Sequence, residues 1–178
     1  MYEVLEFESS LELKDSRGRM AIFKKREKVC YLQDNIIAYQ DQAWSDGDIL
    51  VNYRCSPGVP VDTYRPGRVT YVLISLRGVR QRNDIDEFNI QWGIKNGFMR
   101  SQEAWETQVS HPTRRLKVQV IFPKSRPSMQ VKLIEDIRHR SQILSDEDQR
   151  KLPDGRWIVS CEIDKPRLNE RYTLEWQW

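Results

Sequence analysis

The chain has 178 residues, of which 39% are hydrophobic and 31% charged, with six Trp and seven Tyr. A chain of this length buries about 70% of the surface it exposes when unfolded, and aromatic rings bring large apolar areas to a core, which excludes a disordered polypeptide. With 29 basic against 26 acidic residues the formal charge is only +3, short of the segregated excess of a dedicated nucleic-acid binder.

Three cysteines, Cys30, Cys55 and Cys161, are far apart and odd in number, which argues against a disulfide framework. No Asn-x-Ser/Thr acceptor occurs, and the opening M-Y-E-V-L-E-F lacks the charged and apolar regions of a signal peptide. No apolar run approaches membrane-spanning length. The expected setting is the cytoplasm, with no membrane partner.

Tyr2–Leu13 reads as one strand or two short ones, with Leu5 and Phe7, then Leu11 and Leu13, in alternation. Asp15–Arg19 is a turn in which Gly18 supplies a φ > 0 position. Met20–Leu32 returns as a long strand, and its charged middle, Lys24–Lys28, reads as a solvated or edge segment where Lys blocks aggregation. Asp34–Trp44 fits either an irregular strand or a short helical turn capped by Asp34, with Ile37, Gln40 and Trp44 at helical spacing, and the turn is the reading taken. Ile49–Arg54 is another strand. Cys55–Arg68 carries Pro57, Pro60, Pro66, Gly58 and Gly67 and reads as a long loop or an edge excursion.

Val69–Leu76 is a nearly continuous apolar run, as in a strand buried on both faces, and Arg77–Glu87 a charged loop. Phe88, Ile90, Trp92 and Ile94 alternate cleanly, and Asn96-Gly97 is the strongest hairpin signal in the chain. Trp105–Val109 forms the next strand. Leu116, Val118, Val120 and Phe122 then share one side of a strand closed by Pro123, with Ile121 on the other side, the pattern of a strand in mid-sheet. Gln130–Ile137 is a strand, and Ser145 with Asp148 three residues on marks a helical turn. Pro153-Asp154-Gly155 is a turn, and Trp157–Ile163 and Tyr172–Trp178 are one-sided strands.

About ten strands with turn signals every eight to twelve residues make an all-β fold, an antiparallel sandwich with at most one or two short helical turns. We read residues 1–178 as a single domain. The architecture resembles an immunoglobulin-like or jelly-roll Greek key, without the Cys…Trp…Cys spacing of antibody domains.

No reaction centre is legible. His111 and His139 lie away from any Cys or acidic cluster with metal spacing and read as surface residues, so no metal, cofactor or catalytic residue is expected. Cys55, beside Arg54, is the thiol best placed for activation, yet a small buried side chain is the simpler reading. Cys30 and Cys161 sit in strand patterns and read as structural. Basic clusters at Lys24–Lys28, Arg77–Arg82, Arg114–Lys117, Lys124–Arg126 and Arg138–Arg140 are interrupted or neighboured by acids, so nucleic-acid binding is the alternative rather than the favoured function. The segment Arg54–Arg68 joins a rigid backbone to residue types enriched at recognition hot spots, which makes Arg54, Asp62, Tyr64, Arg65 and Arg68 the candidate binding site. The expected function is a non-catalytic binding or interaction module with another protein as partner. By analogy it is an accessory domain of a bacterial signalling or defence system.

Overall fold

The computed structural model describes residues 2–178; Met1, which opens the N-terminal stretch inspected for a signal peptide, lies outside it. The strands are β1 Tyr2–Leu13, β2 Met20–Tyr31, β3 Ile36–Ala43, β4 Asp48–Ser56, β5 Val59–Tyr64, β6 Thr70–Arg80, β7 Ile85–Lys95, β8 Gln102–Gln108, β9 Arg115–Phe122, β10 Gln130–Glu135, β11 Arg140–Ile143, β12 Gln149–Lys151, β13 Trp157–Asp164 and β14 Arg171–Gln177. The helical structure among the described residues is one 3-10 turn, Asp146–Asp148. There the Asp148 carboxylate accepts hydrogen bonds from the Ser145 backbone N–H (2.8 Å) and hydroxyl (2.9 Å), as the Ser145/Asp148 spacing predicts.

Seven strands form a large sheet in the order β12-β13-β9-β1-β2-β7-β4. Two smaller sheets, β11-β10-β14-β8 and β3-β6-β5, lie side by side on one face of it. Three aromatic contacts fix this packing: Tyr39 on Phe88 (centroids 3.9 Å apart), Trp105 on Phe23 (4.9 Å) and Trp176 edge-on to Phe122 (5.5 Å). The all-β sandwich is therefore as the period-2 patterns predict. One pair departs from the antiparallel expectation, since β1 runs parallel to β9. Leu116, Val118, Val120 and Phe122 are fully buried in β9, which lies between β13 and β1 in mid-sheet.

Several segments differ from the sequence reading. Asp34–Trp44 is no helical turn: β3 points Tyr39, Asp41 and Ala43 inward and leaves Ile37 64% exposed. The ladder to β6 and the partners waiting for Asp41 outweigh a marginal helix too short to stand alone. Cys55–Arg68 is not all loop. Pro57 and Gly58 (φ 93°) make a reversal, and Val59–Tyr64 then runs as the outer strand of its sheet, where Pro60 is tolerated. The charged run Arg77–Glu87 is mostly strand, its turn confined to residues 81–84.

Asn96 takes the left-handed conformation (φ 57°), yet Asn96-Gly97 is not a hairpin turn. It carries the chain from β7 in the large sheet to β8 in the four-stranded one, and Phe98 just beyond it is buried. Gly18 (φ 66°) must be glycine on space as well, since a Cβ there would lie 1.6 Å from the Phe98 carbonyl oxygen. Finally, the middle of β2 is neither an edge nor fully solvated, because β1 and β7 flank it.

Candidate functional site

The two smaller sheets do not meet. The edge strand of one, β3, and the edge strand of the other, β8, both overhang the middle of the large sheet without pairing. Between them lies a cavity of about 610 Å³. Its floor is Phe7 and Ser9 of β1, Phe23 and Lys25 of β2, and Trp92 of β7; Ala38, Gln40 and Gln42 form one wall and Trp105–Val109 the other. A side-chain contact crosses the gap, where the Gln42 amide donates to the Ser110 hydroxyl (2.9 Å). Toward the opposite end the cavity opens into an outer groove lined by Arg65, Arg68, Arg100, Glu103 and again Trp105 and Glu106. The two hollows share Trp44, Val69, Trp105, Glu106 and Gln108, so one groove follows the free side of β8.

Burial around the floor is held by polar contacts between layers. Ser9 bonds Thr107 (2.8 Å), and the Trp105 indole N–H donates to Ser9 (3.1 Å). Such bonds matter because a buried unpaired polar group costs about 1–3 kcal/mol. Trp92, also in the floor, keeps a buried indole N–H with no partner among the described residues.

The inner end of the groove holds a closed charge network. The Lys25 ammonium donates to Glu27 (2.6 Å), Asp41 (3.1 Å) and the Tyr39 hydroxyl (2.7 Å). Tyr39 in turn donates to Glu27 (2.7 Å), and Tyr53 donates to Asp41 (3.0 Å). Burial alone would depress the Lys25 ammonium, but Glu27 and Asp41 outweigh it and hold the group above its ordinary value. Burial, then the Glu27 carboxylate, pushes the Tyr39 hydroxyl well up. The network carries one positive and two negative charges, with the three ammonium protons already engaged. Tyr2 stacks on Tyr39 (5.6 Å) and on His111 (4.2 Å) beside it. His111 is thus half-buried rather than a surface residue, and burial lowers its pKa.

The sequence-predicted binding residues are scattered. Arg54 is exposed on β4 and Asp62 on β5. Tyr64, 44% exposed, stacks on Tyr71 (5.1 Å) and donates to Gln40 in the groove wall (3.0 Å). Arg65 and Arg68 alone line the groove, at its outer end. The groove's inner residues Lys25, Glu27 and His111, and Asp41 buried behind them, escape the sequence reading as site residues. The parity of β2 carried a signal, since Ala21, Phe23, Lys25, Glu27, Val29 and Tyr31 all point one way.

The Cys55 thiol is raised by burial and by the Asp41 charge, the opposite of activation. Cys161 is buried, its thiol pushed up to about 12 by burial. His139 is exposed in a turn (φ 50°). Among the described residues no group of three His, Cys, Asp or Glu side chains is placed to hold a metal ion. Several members of the basic clusters have acidic partners: Arg26 meets Glu6 and Glu87, Arg80 meets Asp86, and Arg138 meets Glu135. Among the described residues no helix is long and apolar enough to cross a membrane.

Fold and groove together define an all-β sandwich whose second layer is split by an aromatic-floored slot. Neither a protein-family model nor a curated protein sequence matches the chain. Solved structures do match its fold. A Parabacteroides distasonis protein taken to be a protease matches with TM-score 0.55 and 9% identity over 99% of this chain and 40% of its own. An M1 zinc metallopeptidase from Deinococcus radiodurans matches with TM-score 0.53 and 8% identity, over 97% of this chain and 42% of its own. Native yeast LTA4 hydrolase matches with TM-score 0.51 and 9% identity, over 98% of this chain and 29% of its own. The chain thus spans less than half the length of each, and identities this low carry the fold alone.

Proposed function

We propose that the chain is a non-catalytic binding domain of the cytoplasm, accessory to a larger assembly, and that its partner is another protein held in the groove between the two smaller sheets. The observation that carries this reading is the groove itself. Its volume of about 610 Å³ falls within the usual range of ligand sites, and an aromatic floor with a polar rim is their usual lining. The Lys25, Glu27, Asp41 and Tyr39 groups at its inner end are engaged with one another. The accessory reading draws on the comparisons, in which a chain of this length corresponds to a part of larger proteins described as a protease, a zinc metallopeptidase and an LTA4 hydrolase. The alternative, a nucleic-acid-binding β domain, has less support because the basic clusters carry acidic partners.

A photo-cross-linking amino acid at Gln40, in the groove wall, tests the proposal against the same group at Ile143, on the exposed outer strand β11. In extract of the source cell we expect a defined protein adduct from position 40 and none from position 143. Equal adducts from both positions, or none from position 40, contradict the groove reading. An adduct destroyed by nuclease transfers support to the nucleic-acid alternative.

A further inference from the structure

We propose that the groove is a slot for one extended peptide strand, which pairs with β3 on one side and β8 on the other and so joins the two smaller sheets into one continuous layer. This rests on the reading of the groove as the binding site and specifies its ligand.

The argument begins from what an edge strand leaves unmade. Among the described residues β3 pairs only with β6, and β8 only with β14, so each presents a row of backbone N–H and C=O groups on its free side. Such a row matches another peptide backbone, and strand addition is how exposed sheet edges commonly bind. Here two free edges overhang the same cavity. The seven residues of β8 give the slot a length of roughly 23 Å at about 3.3 Å per residue, which suits a segment of seven or eight residues.

The floor specifies the side chains. Phe7, Phe23, Trp92 and Trp105 receive the alternate residues that an inserted strand turns inward, so these are apolar. Lys25 is already shared by Glu27 and Asp41, and Glu106 lies in the β8 wall. At the inner end an inward carboxylate therefore meets Glu27, Asp41 and Glu106 with the Lys25 ammonium already engaged, and it is excluded there; the arginines of the groove lie at its outer end. The outward residues face solvent beyond the rim and are unrestricted. The ligand is an extended segment of another polypeptide with apolar residues at every second position and no acidic residue among those at the inner end.

The probe is a library of end-capped eight-residue peptides, threonine at every second position and all residues except proline at the others, selected on the full chain. We expect enrichment of Val, Ile and Phe and depletion of Asp and Glu. The blocking variants Ala38→Trp and, at the rim, Gln42→Trp should each weaken binding of the selected peptide at least tenfold while keeping the wild-type circular dichroism and melting temperature. Having two variants guards against one that misfolds. N-methylation of alternate peptide nitrogens keeps the side chains and removes the donors to one wall, so it should also cost at least tenfold. In hydrogen exchange, the bound peptide should slow amides in both Ile36–Ala43 and Gln102–Gln108. An N-methylated peptide that binds within twofold, or protection of only one strand, overturns strand insertion and leaves the groove as the site. Protection of Arg140–Ile143 or Val59–Tyr64 instead moves the peptide to an outer edge and overturns it as well. Failure to enrich any sequence over the blocked variants also overturns it, and the cross-linking from Gln40 then judges the groove reading separately.

Discussion

Lys25 decides how β2 sits in the molecule. In the run Lys24–Lys28 charge alone suggests solvent, but the inward parity of Phe23 and Val29 passes through Lys25 and Glu27. Burial of such a pair is tolerable only with further partners, and these come from Asp41 and Tyr39 on a strand that the sequence presents as a helical turn. The error at β3 and the error at Lys25 are therefore one error, since neither segment can be placed without the other. Replacing Lys25 with Met leaves Glu27 and Asp41 buried without their cation, held by the Tyr39 and Tyr53 hydroxyls alone, and we expect a loss of about 3–5 kcal/mol in chemical unfolding. Lys24→Met, whose ammonium is 53% exposed beside Glu12, should change stability by no more than about 1 kcal/mol. Equal losses at the two positions would refute the network. A second expectation concerns pH. Lys25 and Tyr39 both have folded-state pKa values above their unfolded ones. Their contribution is full below the unfolded values of about 10 and is lost as pH rises further. Stability should hold from about pH 7 to 9 and fall above about pH 10, and Tyr39→Phe should remove part of that fall. A decline equally steep in the variant would place its origin elsewhere.

Strands with clear alternation are legible, because the inward residues Phe88–Ile94 of β7, Leu116–Phe122 of β9 and Tyr172–Trp176 of β14 bring a run of large apolar or aromatic side chains, while in β8 Trp105 stands between the buried polar Glu103 and Thr107. β5 is not, since its outward edge accepts Pro60 and exposes most of its side chains, so no hydrophobic face remains to be read. Asn96-Gly97 gave the correct local conformation and the wrong connection: a left-handed turn fixes backbone direction over two residues, while sheet membership depends on Phe98 and Trp105 finding the core. The terminal strand β14 is tied into its sheet between β10 and β8, as its alternation predicts. Trp176 is buried against Phe122 and Phe98, whereas Trp178 lies under Arg126 (4.1 Å) and donates to the Arg100 carbonyl oxygen (2.8 Å). Trp176→Ala should therefore cost about 3–5 kcal/mol, Trp178→Ala less, and deletion of the last three residues at least as much as Trp176→Ala. A melting temperature unchanged by the deletion contradicts this packing. At the outer lip, Arg65→Ala and Arg68→Ala remove exposed side chains and should stay within about 0.5 kcal/mol of wild type. Tyr64→Ala should cost more, because it loses the Tyr71 stack and the bond to Gln40.

The sandwich follows from hydrophobic alternation, but the split in its second layer could not be read from any one strand. It arises because β3 and β8, far apart in sequence, each end a sheet above the same stretch of β1 and β2. The candidate site was accordingly half legible: Arg65 and Arg68 lie at the outer groove, while the inner residues are brought together only by the packing of three sheets. The central claim is that this gap is open in the free chain and is closed by a partner. Hydrogen exchange tests it most directly, because amides on unpaired edges exchange faster than those in mid-sheet. In the free chain, part of the amides of Ile36–Ala43 and Gln102–Gln108 should exchange far faster than those of Arg115–Phe122, and a bound partner should slow both groups together. Full protection of both edge strands in the free chain, or a bound partner that leaves them unchanged, would contradict the account.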